Sequence, residues 1–301
     1  MSLLKKKRVL AAKIETTAGT AIALTASDGA FNVFDAEMTP EIELAERPGQ
    51  SAFSQLTAEP GALGGSCSFK TELDSAWSAI LLPACGLVGT PYVPVSEVPG
   101  TNAKTITLGI YENGLCKKLK GAMGNAVFVF ESGKPVQVEW TFTGIWIAPV
   151  DTVMLAPTFP TSRPPRFMGA GLEIGSWTTA VIQSLRIDLG NTVMLRESGN
   201  SSDGYVYAAI TDRKVVGSIN PESGLVATKD VFGEWIIGTE AAFTLTVSGI
   251  TFAMPKLQFT NIQPGDREGI QTDEIDFQAN RSASAGNDEI TITFGSPTTT
   301  A

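Results

Sequence analysis

Val136-Gln137-Val138-Glu139-Trp140-Thr141-Phe142-Thr143-Gly144 alternates apolar and polar residues one for one. Successive side chains of a strand point to opposite faces, so this period of two describes a strand whose buried face carries Val136, Val138, Trp140 and Phe142. Glu139 then lies on the other face. The same texture recurs on both sides. Ile106, Leu108 and Ile110 alternate with Thr105, Thr107 and Gly109, and Leu185, Ile187 and Leu189 alternate with Arg186 and Asp188. Phe243, Leu245 and Val247 interleave with Thr244 and Thr246, and Ile290, Ile292 and Phe294 with Thr291 and Thr293. The expected fold class is all-β.

Only two stretches read as helical. In Leu73–Leu82 the apolar Leu73, Trp77, Ile80 and Leu81 recur at helical spacing, with Asp74 near the start and Pro83 at the end. Val231, Phe232, Trp235 and Ile236 repeat the arrangement after Asp230. Each half thus carries one short Trp-anchored helix, and that parallel points to a duplication. Residues 39–72 align without a gap on 189–222, placing Leu44 on Met194, Gly49 on Gly199, Ala58 on Ala208, Ser68 on Ser218, Phe69 on Ile219 and Glu72 on Glu222. Both halves run strand, long polar loop, strand, helix, strand and final hairpin. The first hairpin is Ala126–Gly144, turning at Glu131-Ser132-Gly133-Lys134-Pro135; the second is Lys256–Gln278, turning around Gln263-Pro264-Gly265-Asp266. Pro149, Pro157, Pro160, Pro164 and Pro165 mark a stiff linker. The expected organisation is two tandem, similar antiparallel β-sandwich domains, 1–150 and 169–301, joined by a linker over 151–168.

The chain contains no histidine, which removes Ser-His-Asp and Cys-His catalysis and the commonest zinc arrangements. Asp273, Glu274 and Asp276 sit beside Ile275 and Phe277, so Glu274 and Asp276 read as the polar face of a strand rather than a glycosidase pair or a calcium site. Gly61-Ala62-Leu63-Gly64-Gly65 and Gly121-Ala122-Met123-Gly124-Asn125 lack the Gly-Lys-Ser/Thr ending of a phosphate-binding loop. No catalytic residue, cofactor or metal is expected. A net charge of -9 argues against holding nucleic acid by its phosphates. The Lys5-Lys6-Lys7-Arg8 run reads as a solvated arm or a contact to an acidic neighbouring subunit. Its flanking apolar run is too short for a secretion signal, and Ala79–Val88, broken by Pro83 and Gly86, is too short for a membrane span. Cys67, Cys85 and Cys116 are odd in number and read as buried thiols made in a reducing cytoplasm.

The opening Ala12-Lys13-Ile14-Glu15-Thr16-Thr17-Ala18-Gly19-Thr20, with Leu24-Thr25-Ala26-Ser27-Asp28, resembles the start of the tail-tube (major tail) proteins of tailed bacteriophages. The stretch Lys120–Pro135, continuing to Trp140-Thr141-Phe142-Thr143-Gly144, resembles the hairpin near the end of that fold. The resemblance implies a β-sandwich with a flanking helix, whose copies join edge to edge into rings stacked as a hollow tube in the virion. It implies assembly in the bacterial host cytoplasm, other phage tail proteins as partners and transient passage of double-stranded DNA. In the family the long loop after the second strand reaches the next ring. The matching positions are Arg47–Leu63, with Arg47, Gln50, Phe53, Gln55 and Glu59 as candidate contacts, and Glu197–Arg213, with Glu197, Asn200, Asp203 and Arg213. Two units per chain would let three chains supply the six units of a family ring, a trimer with pseudo-sixfold symmetry rather than a hexamer. Alternation sends Glu139, Glu274 and Asp276 away from the core, making that face the candidate lumen wall, whose acidity would keep DNA off the surface. The rival readings are a β-sandwich binding module such as an adhesin, a decoration or baseplate protein and, last, a hydrolase.

Overall fold

The computed structural model describes residues 6–50 and 53–295. Met1–Lys5, the start of the basic arm, lie outside the described residues, as do Ser51, Ala52 and 296–301. The first half runs β1 (Arg8–Ile14), β2 (Val33–Pro48), β3 (Gln55–Glu72), helix α1 (Ser75–Ala84), the short β4 (Leu87–Val88) and β5 (Val93–Pro94), β6 (Ile106–Glu112), β7 (Leu115–Glu131) and β8 (Gln137–Asp151). The second runs β9 (Gly171–Ile174), β10 (Ile182–Asp188), β11 (Asn191–Glu197), β12 (Tyr205–Arg213), β13 (Val216–Pro221), helix α2 (Val231–Ile237), β14 (Glu240–Val247), β15 (Ile250–Arg267), β16 (Ile270–Ala279) and β17 (Thr291–Phe294). The described chain is an all-β fold with two short flanking α-helices. Each helix starts where expected, with the Asp74 carboxylate accepting from the Ala76 N–H and the Asp230 carboxylate from the Gly233 N–H.

Pairing in the two halves follows one plan. The first half pairs antiparallel in the order β1-β6-β7-β8-β3-β2. The second repeats it as β9-β14-β15-β16-β13-β10. Between the halves, β10 pairs antiparallel with β7, from Ser184↔Glu131 to Asp188↔Val127. The strands β2-β3-β8-β7-β10-β13-β16-β15 therefore form one continuous sheet.

The alternation decides what lies beneath that sheet. Val136, Val138, Trp140 and Phe142 are buried, and the Trp140 indole N–H donates to Thr71 Oγ1 at 2.8 Å. At the joint, Leu185 and Ile187 of β10 are buried beside Phe128 and Phe130 of β7. The two phenylalanine rings meet Phe252 of β15 at 5.0 and 5.4 Å. Each such side chain contributes about 1.5–3 kcal/mol by leaving water, so the joint is part of the core. The three cysteines are free and buried, and burial pushes the Cys67 thiol up to about 12.

Three local features depart from the sequence reading. The long polar loops are hairpins: β2 and β3 stay paired out to Pro48↔Gln55, and β11 and β12 pair from Asn191↔Arg213 to Glu197↔Tyr205. A two-stranded ladder satisfies its backbone whatever its side chains face, so polar residues need not mean loop. The second final hairpin turns at Glu268-Gly269, not around Pro264. Both residues have positive φ, +53° and +90°, as a two-residue primed turn requires, while Pro264 stays in the ladder opposite Asp273. Thirdly, β6 is buried on both faces, because the segment after β1 covers its threonines. The buried Glu15 carboxylate accepts from Thr105 Oγ1 (2.6 Å), Thr107 Oγ1 (2.8 Å) and the N–H groups of Gly19 (2.9 Å) and Gly121 (2.7 Å).

Candidate assembly surfaces

The polar sheet face carries the acidic residues singled out by alternation. Glu139 on β8 lies opposite Lys70 on β3, and its carboxylate receives Lys70 Nζ at 2.9 Å and Arg186 Nη1 at 3.2 Å. The hydrogen bond from Lys70, helped by Arg186 and opposed by partial burial, holds the Glu139 carboxyl below its ordinary value. Arg186 belongs to β10, so this pair bridges the joint between the halves. Glu274 is the counterpart of Glu139, since the gapless alignment places Lys70 on Asn220, the residue beside Ile219 in its ladder with β16. Asn220 carries no charge; its Oδ1 instead accepts the Ser184 N–H at 2.8 Å. Glu274 accepts from Thr272 Oγ1 at 3.3 Å, and Asp276 from Asn261 Nδ2 at 3.1 Å, both on an exposed stretch of sheet. Glu139 thus has two cations beside it, whereas among the described residues Glu274 and Asp276 face outward with no ion-pair partner.

The two hairpins differ more. In the first, Arg47, Gln50, Phe53, Gln55 and Glu59 are all exposed, and the nearest partner of Arg47 is Glu59 across the ladder at 3.3 Å. Ile42, Leu44 and Leu56 are also exposed, Leu44 by 62%. In the second, Glu197 and Asn200 are exposed but Asp203 and Arg213 are held by the body. Asp203 pairs with Lys120 of β7 at 2.7 Å, and its carbonyl accepts the Leu63 N–H at 2.9 Å. Arg213 donates to Asn191 Oδ1 (3.1 Å), Glu289 Oε1 (3.1 Å) and the Val95 carbonyl (2.8 Å). Sequence reasoning missed Lys120, Arg186 and Glu15. Their partners lie 83, 47 and up to 106 residues away, so no local spacing signals them.

Besides the outer edges of β1 and β9, two open stretches of sheet edge match the strands that meet at the joint. β2 ends the sheet on one side, and beyond Gln258 the second edge of β15 is unpaired. On β2 the Ala36 carbonyl points off the edge and accepts Arg8 Nη1 at 2.7 Å. On β15, Arg267 and Ile270 flank the two-residue turn and bond each other, so Gln263 and Gly265 also bond to β16 while Ile262, Pro264 and Asp266 face outward. Pro264 fits there because an open edge asks nothing of its missing N–H. Among the described residues no group of His, Cys, Asp and Glu could hold a metal ion. Residues 5–294 match the family model described as phage tail tube protein. No curated protein matches the chain.

Proposed function

Because the chain belongs to the phage tail tube protein family, and is thus a structural, non-enzymatic virion protein that assembles into a tube, we propose that it builds each ring of that tube from three copies with pseudo-sixfold symmetry. The observation that carries this is the repeated pairing plan, β1-β6-β7-β8-β3-β2 followed by β9-β14-β15-β16-β13-β10. Each half is read as one sandwich unit, 1–150 and 169–301, with 151–168 as the connection. Assembly takes place in the host cytoplasm, alongside the other tail proteins.

The polar sheet face is read as the lumen wall. DNA carries one negative charge per about 1.7 Å of duplex, and the unneutralised Glu274 and Asp276 would repel it over a screening length of about 8 Å. The first hairpin, with Arg47, Gln50, Phe53, Gln55 and Glu59 in solvent, is read as the contact to the next ring. The second, held on its own chain through Asp203 and Arg213, supports the base of the first.

Changing Glu274 and Asp276 together to Lys tests the lumen assignment. Both side chains are exposed, so folding and tube formation should stay intact, each change costing within about 0.5 kcal/mol. Genome delivery in a complementation assay should slow. Unchanged delivery by well-formed particles would place this face elsewhere. Glu139→Lys is a poorer probe, because it would set a third cation beside Lys70 and Arg186.

A further inference from the structure

The joint inside the chain contains a template for a joint between chains. The matching ladders fix counterparts residue by residue. Ser68 and Ser218 correspond, and their cross-strand partners are Glu37 and Arg186 on one side and Thr141 and Asp276 on the other. Following the strands, Met38 corresponds to Ile187 and Thr39 to Asp188. Likewise Glu139 and Glu274 correspond, and their partners are Val127 and Gln263, so Phe128 corresponds to Pro264 and Phe130 to Asp266. Within the chain, β10 pairs with β7. Their counterparts, β2 and the far part of β15, are both open edges.

We propose that a second copy of this chain occupies these edges: β2 of one copy pairs antiparallel with β15 of the next, in the register Ala36↔Asp266, Met38↔Pro264 and Thr39↔Gln263. This rests on the ring reading above and names the surface that closes the ring. The outward groups agree. The 183↔132 and 189↔126 pairs are each joined by one hydrogen bond in the internal joint, Ser132 N–H to the Gln183 carbonyl at 2.8 Å and Leu189 N–H to the Ala126 carbonyl at 3.1 Å. The alternation makes Ala36↔Asp266 and Met38↔Pro264 the bonded pairs between copies, and their backbones face off both edges.

The joint between copies is the weaker of the two. Pro264 and Pro40 each lack the N–H that Phe128 and Leu189 supply inside the chain, so two ladder bonds are missing. Charge changes sign as well. Where Arg186 reaches Glu139 diagonally across β7, the counterparts Glu37 and Glu274 meet diagonally across β15, over the bare Gly265. Like charges so placed oppose pairing, and Pro and charge on an edge restrain promiscuous association. Closure is thereby restricted to a correctly registered copy and favoured by salt.

Two experiments on the full chain test this. A non-bonded antiparallel pair sits at about 4.5 Å between Cα atoms, within disulfide range. Thr39→Cys mixed with Gln263→Cys should cross-link between chains on oxidation, each variant alone should not, and the double variant should give covalently closed rings. Moving one cysteine to Arg267, about 13 Å along the strand, should abolish the link. In parallel, Glu37→Arg should lower the concentration at which rings appear roughly fivefold, and Glu37→Arg with Glu274→Arg should lose that gain. Rings that form while Thr39→Cys and Gln263→Cys stay unlinked would overturn the register and leave the tube reading standing. Absence of rings under all conditions would overturn both.

Discussion

The hairpin β11–β12 and the outer part of β2–β3 hold matching places in the two halves, yet one lies docked on the body and the other stands in solvent. The docked arm packs Val193, Leu195, Ala208 and Ile210 on Ala103 and Met123 of the body. The free arm leaves Leu44, Phe53 and Leu56 uncovered. Their roots differ in sequence. The ladders place Glu41 where the second half has Gly190, and Gly64 where it has Lys214. At Gly190 the chain turns through φ +62°, where a Cβ would stand 2.0 Å from the Lys214 carbonyl oxygen, and the arm folds over. At Glu41 and Gly64 the ladder runs on into the arm, with irregularities only beyond Ile42 and Ala45. One chain thus displays a unit with a neighbour and a unit without one.

The largest effect expected is at the joint that supplies the neighbour. Ile187→Ala, fully buried there, should cost about 2–5 kcal/mol in chemical denaturation, whereas its free-edge counterpart Met38→Leu should cost under about 1.5 kcal/mol. Equal losses would mean that the halves do not lean on the joint. Next comes Gly190→Val, whose Cβ the Lys214 carbonyl excludes. It should cost about 1–3 kcal/mol and speed amide exchange at Leu63, while leaving residues 53–59 unchanged. Continued protection at Leu63 would show that the bend does not set the docking.

A smaller change is expected from Lys120→Ala, which removes the partner of Asp203. Both side chains are about a quarter exposed, so the loss should stay within about 1 kcal/mol, visible as faster exchange at Leu63. The smallest effect is pH-dependent. Lys70 and Arg186 depress the folded value of Glu139, so its stabilisation is fully present above the ordinary 4.5 and is lost as pH falls through the lower folded value. Wild-type protein should therefore lose a little stability on acidification below that point, and Glu139→Gln should flatten the dependence. An unchanged slope in Glu139→Gln would remove the bridge from the account.

The alternating strands around Trp140, Ile187 and Leu245 were readable because a period of two directly reports burial, and the helices because Asp74 and Asp230 cap them. The duplication was readable as an order of elements. What escaped is what the backbone does independently of side-chain polarity. The polar stretch after Ile42 continues as ladder out to Pro48↔Gln55, and Pro264 looks like a turn because an open edge tolerates it. Arg186 beside Glu139 and Lys120 beside Asp203 come from the other half, so these pairs emerge only once β7 meets β10. On the candidate lumen face, sequence found the acidic residues, but not which of them already had a cation beside it.

The central claim is that one chain supplies two units of a ring, and the mass of a single assembled ring tests it most directly. Rings released from purified tubes and weighed by native mass spectrometry should contain three chains, and averaged end views should show six similar lobes. Six chains per ring, or a strictly monomeric mass at every concentration, would contradict it.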